Sequence, residues 1–136
     1  MIMRKAILLF AVLVSAAAGG ARSQPAKTVD WSGAQTINVL MVDDKFVPDR
    51  LSFRHGVPYL LHLENRGKEL HEFTAPEFFA HAVMRDPGVL ANSGAEVVVQ
   101  PGMMGDVYLV PLKPGTYQLY CADHDWAGME GKIVVE

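Results

Sequence analysis

The sequence of 136 residues has one cysteine, Cys121, and no surplus of basic residues. One cysteine cannot form an internal disulfide, so the thiol must be a buried inert group, an intermolecular bridge, a reactive group or a metal ligand. The chain has 12 Lys and Arg against 15 Asp and Glu, a net charge of −3. This balance argues against nucleic acid as a partner and is compatible with a partner protein that has a basic face.

The N-terminal segment resembles an export signal. Arg4 and Lys5 precede an apolar run at 6–18 that is short for a membrane span, and small residues follow it. We predict a signal peptide at 1–23 and a periplasmic or otherwise exported protein, with no stable membrane insertion after cleavage. An uncleaved N-terminal anchor is the alternative. Removing the leader's three basic residues leaves nine basic against fifteen acidic residues.

The sequence after the predicted signal peptide indicates one all-β domain. Residues 24–34 are polar and are expected to form a flexible lead-in, and 35–136 to form the domain. Short apolar runs alternate with turns rich in Gly, Pro, Asn and Asp, which is typical of a β-sandwich or barrel. A short helical or irregular insert is expected around 76–90, with Pro76 at its start. The predicted strands are 36–42, 51–54, 59–64, 96–99, 106–110, 116–121 and 132–135.

Strand alternation predicts where the thiol lies. Along 116–121, Tyr117, Leu119 and Cys121 share one face of the sheet. If Leu119 points into the core, Cys121 points inward as well. A shielded thiol is a poor intermolecular bridge or redox sensor, because both need access.

The residues after Cys121 suggest a metal site. His124 follows three positions later and Met129 five positions after that, on one loop that contains Gly128. Thiolate, imidazole and thioether are soft donors, and two histidines, a cysteine and a weak axial methionine suit copper. A second histidine must come from elsewhere in the chain, and His71 is the best candidate.

The sequence resembles the cupredoxins, the small blue-copper proteins that include plastocyanin and pseudoazurin. The matching motifs are 71–73 (HEF), 115–117 (GTY), the Cys-x-x-His-x-x-x-x-Met loop at 121–129, and 131–135 (GKIVV); 46–48 (FVP), with Leu51 and Gly56, resembles the family's opening hairpin. The resemblance implies a Greek-key antiparallel sandwich of about seven to eight strands. It also implies one copper ion, cycling between Cu(I) and Cu(II), with His71, Cys121 and His124 as equatorial ligands and Met129 as the axial ligand.

The residue after the first histidine departs from many family members. Position 72 carries glutamate, where a small or amide-bearing residue is common. Its backbone N–H can still bond to the copper thiolate. We expect the Glu72 side chain to be solvated and to point away from the site, with direct copper ligation as the alternative.

Other histidines and methionines are assigned to the surface or the core. His55 and His62 are expected to face solvent. His81, Met84, Met103 and Met104 would form a second copper site only if the insert covered the copper end of the domain; core packing and a turn are the simpler interpretations.

Two functions fit the motif. The first is a monomeric, exported one-electron carrier that exchanges electrons through the edge of His124 with a transient partner having a basic docking face. Trp126, with 127–128, would form an apolar collar, and Asp123 and Asp125 would attract the partner. The alternative is a copper-handling protein for storage, delivery or resistance. We predict no enzymatic activity, because copper enzymes of this fold need further histidine-rich motifs and this chain has no H-x-H pair.

Overall fold

The computed structural model describes residues 28–136, which form two five-stranded β-sheets around a shared apolar core. The predicted signal peptide and its cleavage point lie outside the described residues. In chain order the strands are β1 (Gln35–Val42), β2 (Lys45–Val47), β3 (Arg50–Phe53), β4 (Tyr59–Asn65), β5 (His71–Thr74), β6 (Ala82–Met84), β7 (Glu96–Val99), β8 (Met104–Pro111), β9 (Gly115–Tyr120) and β10 (Glu130–Val135). One short helix, α1 (Pro76–Ala80), follows β5.

The strands are divided equally between two sheets, which the chain links at one edge. One sheet runs β2-β1-β4-β8-β6 and the other β3-β10-β9-β5-β7. Most neighbouring strands are antiparallel, but β1 pairs in parallel with β4, and β3 pairs in parallel with β10. Because β2 and β3 are consecutive in the chain but belong to different sheets, the chain crosses between the sheets at one edge. The predicted all-β sandwich is confirmed, and residues 28–136 contain ten strands in place of the seven to eight expected.

The alternating burial of side chains along the strands shows which face of each sheet packs against the other sheet. In β4 every second side chain, beginning with Tyr59, is buried. In β9, Tyr117 and Leu119 are buried while Thr116 and Gln118 are exposed. Apolar surface removed from water at alternate positions is the main driving force for such packing. The core is completed by aromatic pairs, including Phe53 against Tyr59, with ring centroids 4.9 Å apart.

The predicted insert contains the short helix α1, after which the chain forms β6 against β8. A 3₁₀ turn at Trp31–Gly33 precedes β1, and the Trp31 ring lies edge-on to Tyr108 at 6.2 Å. Within 28–136 no helix is long and apolar enough to cross a membrane.

Candidate metal centre

Cys121 lies immediately after β9, with no exposed surface. The alternation of Tyr117 and Leu119 therefore continues through it, and the predicted inward direction of the thiol is confirmed. The Cys121 backbone N–H donates to the carbonyl of Met129 at 3.0 Å. This bond ties the first residue of the loop to its last.

The loop folds back so that His124 meets the thiol. The His124 backbone N–H donates to the carbonyl of Cys121, and the Met129 N–H donates to the carbonyl of His124. A 3₁₀ turn spans Asp125–Ala127, and Gly128 follows it with φ of 83°, a left-handed conformation that glycine adopts without strain. These constraints place His124 Nδ1 3.4 Å from Cys121 Sγ.

His71 reaches the same point from the neighbouring strand. It is the first residue of β5, it is fully buried, and its Nδ1 lies 3.8 Å from Cys121 Sγ. The candidate ligand atoms of His71, Cys121 and His124 all lie within 4.8 Å of one another. Two chain segments about fifty residues apart thus bring together a thiol and two imidazoles.

Carboxylates contact the outer nitrogen of both imidazoles. His71 Nε2 lies 3.2 Å from Oδ1 of Asp43, and His124 Nε2 is within hydrogen-bonding distance of Oε2 of Glu69. The backbone N–H of Lys68 donates to Asp43 and lowers the pKa of that carboxyl group below its usual value. Asp43 and Glu69 were not predicted as part of the site. Glu69 stands two positions before His71, but no sequence signal links Asp43 to the site.

Glu72 contradicts the expectation of a solvated side chain. Glu72 is only 6 % exposed, and its Oε2 accepts the S–H of Cys121 at 2.9 Å. The backbone N–H of Glu72 also donates to the same sulfur at 3.4 Å, as predicted. The physical reason is that the carboxylate is held against the 121–129 loop, where the Cys121 thiol and the Asp123 backbone N–H both donate to its Oε2.

The surroundings raise the pKa of the Cys121 thiol to about 11. Burial is the main cause, and the hydrogen bond to the Glu72 carboxylate adds to it. A buried thiolate without a countercharge is costly, so the proton stays on sulfur at neutral pH. A soft metal cation can replace that proton, and a thiolate between two imidazole Nδ1 atoms is a donor set that copper favours. The residues present therefore fit a copper ion.

Met129 lies at the end of the same loop and is fully buried. Its main chain is fixed by hydrogen bonds to Cys121 and His124. Its role as the axial ligand stays a prediction.

The residues of the suggested second copper site are separated. Met84 pairs with Leu109 near one end of β8, whereas Met104 pairs with Glu64 at the other end. The carbonyl of His81 accepts from the N–H of Leu112, beyond the Met84 end. With a strand rise of about 3.3 Å per residue, the two groups are too far apart to share one ion.

Two further histidine predictions can be compared with the structure. His55 is exposed, and its Nδ1 contacts the carbonyl of Glu136. His62 is only partly exposed and pairs with Asp106. Neither histidine is in the cluster of candidate ligand atoms.

An exposed surface adjoins His124. Trp126 is 82 % exposed, and its indole N–H donates to the carbonyl of Asp123 at 2.9 Å, which fixes the ring. Asp123 and Asp125 are exposed on the same loop. Trp126 and His124 also line an open cleft together with Asp43, Asp44, Lys68 and Glu69.

Comparison with known proteins agrees with this architecture. Residues 5–135 match the family model described as a cupredoxin-like domain. None of the curated proteins matches the chain. Auracyanin B superposes with a TM-score of 0.60 at 20 % identity, covering 79 % of this chain and 93 % of that one. Auracyanin from the photosynthetic bacterium Roseiflexus castenholzii superposes with a TM-score of 0.58 at 15 % identity, covering 76 % and 98 %.

Proposed function

The chain belongs to the cupredoxin-like family, and we propose from that premise that it is an exported mononuclear copper protein that carries single electrons. The observation that carries the proposal is the convergence of one thiol and two imidazole nitrogens within 4.8 Å of one another. We assign His71, Cys121, His124 and Met129 as the ligands. Bound between them, a copper ion would supply the Cu(I)/Cu(II) couple.

The scaffold favours rapid electron exchange because it holds these ligands in place. Cys121 and His71 are attached to adjacent strands of one sheet, and Met129 immediately precedes a third strand of that sheet. All three are fully buried. Ligands that keep their positions in both oxidation states, shielded from water, leave little reorganisation to accompany the transfer of an electron.

His124 provides the path between the site and solvent. Its side chain is 12 % exposed, whereas the other three proposed ligands have no exposed surface. Electrons would therefore enter and leave through the His124 imidazole. The neighbouring Trp126 supplies apolar contact area, and Asp123 and Asp125 favour a partner with a basic docking face. Such an encounter would be small and transient.

The test of the proposed centre is a spectrum. Apo-protein should take up one equivalent of Cu(II) and develop an intense visible band from thiolate-to-copper charge transfer. Cys121→Ser should remove that band and keep the β-sheet circular dichroism of the wild type. Persistent colour in the variant would show that the sulfur ligand is misassigned.

Copper handling is the alternative that the ligand set alone does not exclude. Burial of Cys121 favours electron transfer, because a delivery site needs an accessible and exchangeable metal. Reversible voltammetry together with slow copper loss to a strong chelator would support the carrier. Rapid loss to the chelator without reversible redox cycling would identify a handling protein.

A further inference from the structure

The two nitrogens of His71 have different partners. Nδ1 faces Cys121 Sγ at 3.8 Å, and Nε2 faces the carboxylate of Asp43 at 3.2 Å. An ionised carboxylate only accepts hydrogen bonds, so Nε2 must carry the ring proton. The lone pair of Nδ1 is then directed at the site.

Asp43 is itself held in place from two sides. It lies in the turn between β1 and β2, which pair through Val42 and Lys45 on either side of that turn. Its Oδ1 also accepts the backbone N–H of Lys68 at 3.0 Å. The carboxylate therefore links the β1–β2 turn to the segment that leads into His71.

Gly67 lacks a side chain that would collide with Asp43 and His71. A Cβ at this position would lie 2.4 Å from Asp43 Oδ1 and 2.8 Å from His71 Nε2. The Gly67 N–H donates to the side chain of Asn65, which is fully buried and is anchored to the carbonyl of Val99. Close approach of the main chain to the carboxylate and the imidazole is thus what requires glycine here.

We propose that Asp43, covered by Gly67, is the positioning residue that fixes the tautomer and ring orientation of His71 and so sets the affinity and reduction potential of the copper site. This inference rests on the proposed function. A carboxylate behind a ligating imidazole orients the ring and raises the basicity of its other nitrogen. A more basic ligand with a nearby negative charge stabilises Cu(II) over Cu(I), which lowers the potential.

Glu69 makes the equivalent contact with His124 in a different environment. Its side chain is 65 % exposed, and His124 reaches the surface, whereas the His71 side chain is completely buried. Water can replace Glu69 as the acceptor for His124. The Asp43 side chain is 47 % exposed, but the His71 ring that it contacts has no exposed surface, so Asp43 shields this nitrogen from water. We therefore expect Asp43 to have the larger effect.

The experiment separates orientation from charge. Asp43→Asn keeps an acceptor oxygen and removes the charge, while Asp43→Ala removes both. Gly67→Ala displaces the pair through the added Cβ. Asp44→Asn is the matched control, because it removes one charge from the adjacent residue, where φ is 67° and asparagine is tolerated. The measurements are ¹⁵N NMR of the histidine tautomers in apo-protein, copper affinity by competition, and the potential by voltammetry.

We expect the wild type to show the Nε2–H form of His71. Asp43→Ala and Gly67→Ala should lose this single tautomer and bind copper about 10- to 100-fold more weakly. Asp43→Asn should recover most of the affinity but have a higher potential than the wild type. Asp44→Asn should match the wild type in all three measurements.

Either of two results would overturn the positioning role. One is an unchanged tautomer and affinity in Asp43→Ala. The other is an equal change of potential in Asp43→Asn and Asp44→Asn, which would indicate a general effect of charge. If the wild-type protein bound no copper, the proposed function would fail, and the apo-protein spectra would still report whether Asp43 orients His71.

Discussion

Oε2 of Glu72 lies 2.9 Å from Sγ of Cys121, and both residues are buried. The backbone N–H of the same residue donates to the same sulfur. One residue therefore offers the thiol both an acceptor and a donor. The acceptor stabilises the protonated thiol, and the donor stabilises the thiolate.

Glu72→Gln should lower the pKa of Cys121 from about 11 toward its ordinary value. The substitution removes the negative charge beside the sulfur and keeps the backbone donor, although burial continues to favour the neutral form. Thiolate ultraviolet absorbance across an alkaline titration of apo-protein measures the shift. Glu136→Gln, at an exposed position, is the control, and an equal shift there would contradict the assignment.

Copper uptake should release the thiol proton. Because the pKa of Cys121 is raised to about 11, the apo thiol is protonated at neutral pH, and copper must displace that proton. Between neutral pH and about pH 9 the apparent affinity should rise by about tenfold per pH unit from this group alone. Calorimetry in buffers of different ionisation enthalpy counts the released protons. Cys121→Ser should release one fewer, and equal counts would argue against thiolate ligation.

Apo-protein should lose stability at alkaline pH for the same reason. The folded-state pKa lies above the ordinary value of 9.0, so the neutral thiol contributes stability below about pH 9. That contribution declines as the pH rises through about 11. Urea unfolding midpoints at several alkaline pH values measure the decline. It should be absent in Cys121→Ser, and an identical decline there would assign it to other groups.

Leu119→Ala should weaken the strand that carries the cysteine. Leu119 is fully buried two residues before Cys121, and truncation of such a side chain costs about 2–5 kcal/mol. Gln118→Ala on the exposed face of the same strand should stay within about 0.5 kcal/mol. Chemical denaturation of both apo variants gives the comparison. Similar losses would mean that β9 is not packed as described.

Trp126→Ala should slow electron exchange with a basic redox protein without changing the potential. The ring is 82 % exposed, so its removal should alter the free energy of unfolding by no more than about 0.5 kcal/mol. Stopped-flow rates with a lysine-rich c-type cytochrome, together with voltammetry, separate docking from the metal site. Val83→Ala, an exposed apolar residue of β6, is the control. Equal rates in the two variants would remove Trp126 from the docking surface.

The correct sequence predictions were based on the alternation of buried residues along strands and on motif spacing. The alternation of Tyr117, Leu119 and Cys121 is a local property of an extended chain, so it could be read without the fold. The choice of His71 as the second histidine could be made from the residues, and the family resemblance implied the same position. Its proximity to the cysteine depends on β5 lying beside β9. The bounds of β7 (Glu96–Val99) were also predicted correctly, since turns flank it closely.

The incorrect or missing predictions concern contacts between distant segments. Glu72 alternates with buried residues and would face solvent on an ordinary outer sheet surface. All four residues of β5 are nevertheless buried. The Glu72 carboxylate accepts from the Cys121 thiol and the Asp123 backbone N–H, about fifty positions later, and Thr74 bonds to Glu96 of β7. Asp43 lies 28 residues before His71, and only the folded turn brings its carboxylate to the imidazole.

Of the four proposed ligands, His124 is the one with exposed surface, and this has a consequence for the proposed electron transfer. In the proposed carrier, the donor and the acceptor would both bind at the surface around that ring, so they could not be bound together. The protein would then accept an electron from one partner, dissociate, diffuse, and donate the electron to the other partner. The overall rate of electron transfer would depend on how quickly each complex dissociates, so short-lived complexes would give faster transfer than tight ones.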